Sequence, residues 1–286
     1  MGGAAMLGVP PLYLNLEPPM GLKQCRYGPM LYLTTDQYIG QALHTYGEFS
    51  EAEVYFFRKY IKENWTVLDV GANHGTHTVA LAQMVGAWGT VHAFEPQRVL
   101  HQILCANLAL NALSNTQTYQ VALGREPGAI GVPRVDYNRP NNFGAIELGG
   151  SDDKVPVITL DSLNLNSLHF AKIDAEGAEG DIIAGGIETI NRFKPLLYVE
   201  NDREEKSAAL IQQLFDLEYD VYWHMPYYYN RYNFFGVVDN IYGFTVSLNM
   251  FCVPKVSYCS LNSKTAIIPN DCFKIESPTD SWRNHT

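Results

Sequence analysis

Apolar and polar positions follow two rhythms along this chain. Residues 66–70, 90–95, 116–123, 168–174 and 196–201 are short aliphatic or β-branched runs, as expected of strands buried on both faces. Between them, 76–84, 97–112, 179–185 and 207–217 carry apolar residues at helical spacing. An earlier helix starts at Ser50. There Ser50 and Glu53 have the spacing of a capping box, and Val54, Phe57 and Ile61 fall on one face. Residues 220–224 and 250–253 read as two closing strands. Strands alternating with helices predict βαβ units, and so an α/β fold whose mostly parallel sheet is covered by helices on both faces. Residues 1–48 show no clear period and predict an irregular N-terminal cap. Residues 124–154 are rich in Gly, Pro and Asn, and predict a long functional loop or small hairpin. No internal repeat is visible, which excludes solenoids and propellers.

Length and composition narrow this further. The 286 residues suit one α/β domain over 49–257, preceded by the cap (1–48) and followed by a C-terminal tail (258–286). With 47% apolar and 17% charged residues the chain belongs with soluble globular proteins. It has no apolar run of spanning length. A net charge of -10 argues against a dedicated nucleic-acid binder. The cysteines, at 25, 105, 252, 259 and 272, are scattered and form no C-x-x-C pair, which suits a reduced, cytoplasmic protein. Residues 1–10 lack the basic region of a signal peptide, and Met6 stands where a myristoylation signal needs Ser or Thr. The two sequons, at Asn64 and Asn284, are accidental in such a compartment.

Ligands of doubly wound sheets sit at the C-terminal strand ends, where the strand order reverses. Residues 67–76 form a strand, a glycine turn and a helix start, with Asp69, Gly71 and Gly75 around the turn. Gly71 and Gly75 leave room for a ligand to approach backbone, and helix N–H groups then face it. Glu95 ends the next strand, at the spacing of a carboxylate that accepts hydrogen bonds from a ribose diol. Asn73 stands where a dinucleotide fingerprint needs its second glycine, and no G-K-[ST] follows. Carboxylates at these strand ends suit a cationic nucleoside better than a pyrophosphate. S-adenosylmethionine, with an ammonium, a sulfonium and a ribose, meets that description.

Three segments, VLDVGANHGTHTVALA (67–82), AFEPQ (93–97) and AKIDAEGAEG (171–180), together resemble the FkbM family of S-adenosylmethionine-dependent methyltransferases. The resemblance covers about residues 46–254 and departs at His74, where the family usually has an aliphatic residue. It implies a class I methyltransferase (Rossmann-like) fold of seven strands, the last antiparallel. It also implies that Asp69, Gly71, Asn73, Gly75 and Glu95 bind the cofactor; Thr78 and Asn107 match family positions too. Such enzymes mostly methylate hydroxyls of sugars or natural products, and some relatives methylate amide nitrogens of peptides.

An acceptor hydroxyl is a poor nucleophile and calls for a general base. Asp174 ends a strand beside the expected cofactor, with Lys172 on the same face, and is the first choice; Glu176 begins the next turn. Glu179 and Asp181 read as helix-start carboxylates. Glu200 ends another strand at the same rim, and His224 is the one histidine placed for base chemistry. No histidine spacing suggests a metal, so a metal-independent reaction is expected. Seven tyrosines between 219 and 242, with Trp223, Phe234 and Phe235, read as an aromatic acceptor pocket. Asp36, Glu48 and Asn142 are placed on the acceptor side, with loops 36–40 and 141–144 closing over it.

The chain is therefore expected to be an S-adenosylmethionine-dependent O-methyltransferase. Its expected partner is a small-molecule, glycan or peptide acceptor, and homo-oligomers remain possible. N-methylation of a peptide side-chain amide, or a non-catalytic nucleoside-binding subunit, are the alternatives.

Overall fold

In this computed structural model, residues 16–150, 153–255, 268 and 270–284 are described. Residues 1–10, Cys259, and His285 and Thr286 of the second sequon lie outside them.

The cap is more regular than its composition suggests. Strands β1 (Met20–Cys25) and β2 (Gly28–Leu33) pair antiparallel, and α1 (Ile39–Tyr46) follows. Its order comes from contacts with the domain rather than from a period of its own. Cys25, Met30, Tyr32 and Leu43 pack into one apolar cluster with Val79, Ala93, Leu104 and Leu108. Helix α2 (Glu51–Tyr60) buries Val54, Phe56, Phe57 and Tyr60. Ser50 adopts a left-handed conformation and its side chain caps nothing, while Glu53 turns inward, so the expected capping box does not form.

The alternating region begins with β3 (Thr66–Val70), α3 (Thr76–Val85), β4 (Thr90–Phe94), α4 (Arg98–Leu110) and β5 (Thr116–Tyr119). Around the segment expected to be a loop or hairpin lies a small separate sheet, β6 (Ala122–Leu123), β7 (Gly128–Val132) and β8 (Asp153–Ile158), in the order β6-β8-β7, with only β7 wholly inside the segment. Then come β9 (Phe170–Ile173), α5 (Glu179–Ala184), α6 (Ile187–Phe193), β10 (Leu196–Glu200) and α7 (Glu204–Asp216). The chain closes with β11 (Tyr219–His224), β12 (Asn249–Pro254) and β13 (Cys272–Lys274).

Among the described residues the main sheet has eight strands, in the order β13-β11-β12-β10-β9-β3-β4-β5. The eighth, β13, pairs antiparallel with β11 and draws part of the expected tail into the sheet. Three residues without an apolar run leave no strand signal in the sequence. The five strands from β5 to β10 are parallel, and β12 runs antiparallel to both β10 and β11.

Alternation along the strands sorts side chains between the two faces. Leu68, Val70, Ala171, Ile173, Leu197 and Val199 meet Ile182, Ile190, Leu210, Ile211 and Leu214 of α5, α6 and α7. Val67, Phe170, Leu196 and Tyr198 meet Phe56, Phe57, Leu81 and Ala82 of α2 and α3. Each large aliphatic side chain fully buried in this way contributes about 1.5–3 kcal/mol. Among the described residues, no helix is long and apolar enough to cross a membrane.

The strand order reverses at β3. From there the chain steps through α3 to β4 on one side, and later returns to place β9 on the other. The crevice of the fold is therefore at the C-terminal ends of β3 and β9, beside Gly71 and Asp174. Gly71 has φ +79°, and a Cβ there would lie 1.7 Å from the Asp174 carbonyl oxygen. Gly75 has φ +84° and abuts the Leu104 side chain. Both glycines thus serve chain packing, and Gly71 also lines the crevice. Gly71→Ala combines a left-handed penalty of about 1–2 kcal/mol with a backbone collision. It should lower stability by more than about 2 kcal/mol, read as a fall in the thermal unfolding midpoint.

Candidate active site

A cavity opens over these strand ends. One wall is the turn Gly71-Ala72-Asn73, with Glu95, Pro96 and Gln97 following β4. Asn142 and Gly144–Ile146 of the segment before β8 form its edge. Asp174, Glu176, Glu200 and Lys172 make the floor. Phe49, Glu53, His77, Tyr228, Ser247 and Asn249 make the far wall.

The turn is held by side chains rather than by local propensity. Asn73 takes φ +50°. Its N–H donates to Glu95 Oε2 at 2.9 Å, and Gln97 N–H donates to Glu95 Oε1 at 2.8 Å. Each oxygen retains a lone pair for a ribose hydroxyl. Burial pushes the Glu95 carboxyl up to about 7, against the pull of those two N–H groups. His74, the departure from the family pattern, is fully buried and ties the cap to the turn. Its Nε2 accepts from Leu33 N–H at 3.3 Å, which leaves the proton on Nδ1 to donate to Asn73 Oδ1 at 2.5 Å. Asn107 completes the tie, bonding Leu31 on both backbone groups and donating to the His74 carbonyl.

The floor is an acidic cluster with two cations set in it. Lys172 is buried in the middle of β9, its Nζ 2.7 Å from Asp174 Oδ2 and 3.9 Å from Asp69 Oδ1. Burial alone would raise the Asp174 carboxyl. Lys172 and a proton offered by Glu200 outweigh that, and Asp174 is held below its ordinary value. Glu200 is pushed far up, first by burial and then by facing Asp174, Glu176 and Asp202. Burial and the Asp174 charge push Glu176 to about 7, although Arg203 Nη2 donates to it at 2.6 Å. Asp174, Glu176 and Glu200 each place a ligand atom within 4.8 Å of the others, a spacing a divalent cation could bridge. Lys172 and Arg203 already supply positive charge there.

Of the residues anticipated from the sequence, the cavity brings together Gly71, Asn73, Glu95, Asn142, Asp174, Glu176 and Glu200. Others stand elsewhere. Asp69 is wholly buried behind the turn, where Thr78 Oγ1 donates to its Oδ2 at 2.6 Å, so this pair braces the floor from below. Asp36 accepts from Tyr38 N–H and lies 3.9 Å from the His74 ring, beneath the cavity edge. Glu48 accepts from Arg26, Asn230 and Phe234 N–H, fastening the aromatic loop to the cap. His224 is a correction to the expected base. It stacks on Phe56 at 4.2 Å, is 2.8 Å from Tyr198 Oη, and burial lowers it to about 4. Of the aromatic cluster, Tyr219 and Trp223 are core and Tyr228 lines the cavity, whereas Tyr227, Tyr232, Phe234 and Phe235 are exposed. Sequence reasoning missed Glu53 and His77, which come from two different helices and share no motif.

A mostly parallel sheet that reverses at β3, with a glycine turn at the crevice, has the architecture of a class I methyltransferase fold. Residues 69–221, more than half of the chain, match the family model of the methyltransferase FkbM domain. The chain belongs to that family. Among curated proteins none matches the chain. Solved structures do resemble it. The methyltransferase FkbM from Methylobacillus flagellatus is 16% identical with a TM-score of 0.45, over 76% of this chain and 55% of its own. A putative methyltransferase from Streptococcus mutans, in complex with S-adenosylhomocysteine, is 13% identical with a TM-score of 0.42, over 71% and 96%. The O-methyltransferase TomG from Streptomyces achromogenes, in complex with S-adenosylmethionine, is 9% identical with a TM-score of 0.42, over 72% and 78%. The chain spans little more than half the length of the Methylobacillus protein.

Proposed function

We propose that this protein transfers the methyl group of S-adenosylmethionine to a hydroxyl of a sugar, glycan or secondary metabolite. One observation carries the reading. The cavity joins a hydroxyl-accepting carboxylate, Glu95, on a helix-leading turn to an anionic floor led by Asp174. The turn and Glu95 hold the adenosyl half, and the floor carboxylates favour the ammonium and sulfonium. In-line attack at the methyl carbon is then mostly a matter of orientation.

Lys172 and Arg203 serve as the fixed positive charges, and the reaction proceeds without a metal. The acceptor is read as a hydroxyl because the cavity offers carboxylates able to accept its O–H proton. The reaction is assigned to the cytoplasm, on cysteines scattered without pairing motifs, of which Cys25, Cys105, Cys252 and Cys272 stand as free thiols.

The test has two parts, both with EDTA present. S-adenosylmethionine at 100 times its dissociation constant should stabilise the protein by about 2.7 kcal/mol in thermal unfolding, and NAD should not. Labelled-methyl transfer to panels of sugars, glycans and peptides should then mark hydroxyl acceptors. Stabilisation by NAD alone, or label on peptide amides alone, would overturn the reading.

A further inference from the structure

The far wall of the cavity holds an ion-pairing group that the proposed function leaves unused. Glu53, on the first turn of α2, is 3% exposed, and its two oxygens face different partners. Asn249 Nδ2 donates to Oε1 at 3.0 Å, and His77 Nε2 of α3 lies 3.3 Å from Oε2 without making a directed hydrogen bond. Held in this way, Glu53 lines the cavity.

Position across the sheet separates this wall from the cofactor turn. Glu95 follows β4, whereas Asn249 begins β12, four strand spacings away and so about 19 Å across the sheet. Asp174 lies between them at the end of β9. The Glu53 wall also carries rings. Phe49 and Tyr228 lie with centroids 5.4 Å apart, and Tyr38 meets Tyr228 edge-on at 6.1 Å. Flat apolar surface beside a carboxylate is what a hydroxylated ring would meet.

We propose that Glu53, positioned by Asn249 and His77, is the base that takes the proton of the acceptor hydroxyl, the acceptor ring lying against Tyr228 and Phe49. This rests on the methyl-transfer reading above. In the step the acceptor O–H bond breaks and its proton passes to Glu53. The freed oxygen pair forms the O–CH3 bond, and the S–CH3 pair returns to sulfur, leaving a neutral thioether.

The surroundings suit that task better than those of Asp174. Burial raises Glu53 to about 7; Lys172 and Ser247 pull it down, and Asp174 pushes it up. Tyr198 and Tyr228 also face it, both raised by burial and neutral, and burial lowers His77 to about 3, so it too is neutral. Asp174, held below its ordinary value by Lys172, is the weaker base of the two. A raised carboxyl is protonated below its pKa, so turnover should climb as pH rises through about 7.

The test uses the full chain and the variants Glu53→Gln and Glu53→Asp. Calorimetry with S-adenosylmethionine comes first, and Glu53→Gln should bind it within about threefold of the unaltered protein. In infrared titration of the donor-bound protein, a carboxylic-acid band absent from Glu53→Gln should vanish with a midpoint near pH 7. The difference spectrum is needed because Glu95 and Glu176 titrate nearby. In methyl transfer to a panel of methyl hexosides, Glu53→Gln should lose about 10²–10⁴-fold in kcat with KM little changed. Glu53→Asp should regain part of the loss. A band missing from the unaltered protein above pH 5, or full kcat with an unshifted pH limb in Glu53→Gln, would overturn the assignment while leaving the donor reading intact. Failure of the unaltered protein to bind the donor would instead fell the function, and this assignment with it.

Discussion

Glu95→Ala should raise the dissociation constant for S-adenosylmethionine at least about 100-fold in calorimetry. The carboxylate accepts from Asn73 N–H and Gln97 N–H at once, and both are buried. Leaving such donors unpaired costs about 1–3 kcal/mol each. The turn that would hold the adenosyl group loosens together with the loss of the ribose contact. The effect on the unliganded fold has a different pH dependence, which separates the two roles. Glu95 titrates near 7 in the folded chain and lower when unfolded, so its contribution is present in full at low pH and fades as pH rises through 7. That interval is worth about 3 kcal/mol. Glu95→Ala should therefore destabilise the unliganded protein more at pH 5 than at pH 8, while weakening donor binding at both. Unchanged affinity would remove Glu95 from the cofactor site.

Lys172→Met carries the other large effect. Lys172 is 2% exposed and stands between Asp69 and Asp174. Methionine keeps the bulk and removes the charge, leaving buried carboxylates facing one another without a counter-ion. Breaking a buried pair in this way costs about 3–5 kcal/mol. For a chain of this size that lowers the unfolding midpoint by about 6–20 °C. Lys172 is what holds Asp174 low against burial, so the stability it brings is present above the unfolded carboxyl value and fades as pH falls through the folded one. The gap between Lys172→Met and the unaltered protein should thus narrow on acidification. A gap that stays constant as pH falls from about 4 to about 2 would show that the ammonium is not the counter-charge.

What was legible from the sequence was what is coded locally. The runs at 66–70, 90–94, 170–173 and 196–200 are mostly apolar and buried on both faces, with Asp69, His92 and Lys172 as buried polar exceptions, and so a parallel sheet is easy to read. Gly71 and Asn73 share one turn and Glu95 follows the adjacent strand, 22 residues after Asn73, a spacing that places them together. Glu53 was not legible. The S-x-x-E pattern looks the same whether the glutamate caps its helix or turns into the interior, and its partners His77 and Asn249 come from distant elements. His224 misled for the opposite reason, since a strand-end position does not reveal the Phe56 ring stacked over it. Asp69 and Thr78 read from the sequence as cofactor ligands, but alternation along β3 sends Asp69 to the underside of the turn, where Thr78 donates to it. The cap hairpin was missed because its order is borrowed from α3 and α4.

The contact between Gly71 and the Asp174 carbonyl also bears on how the pocket arises during folding. The two residues are brought together only when β9 slots in beside β3, after the whole β4–β8 excursion has been made. Closing so long a loop is entropically costly and slow compared with forming α3 or α4. A nascent chain that has emerged only through β8 would thus carry the glycine turn without the floor beneath it. The cavity floor is a property of the completed crossover, since Asp174 reaches Gly71 only through the β3–β9 pairing.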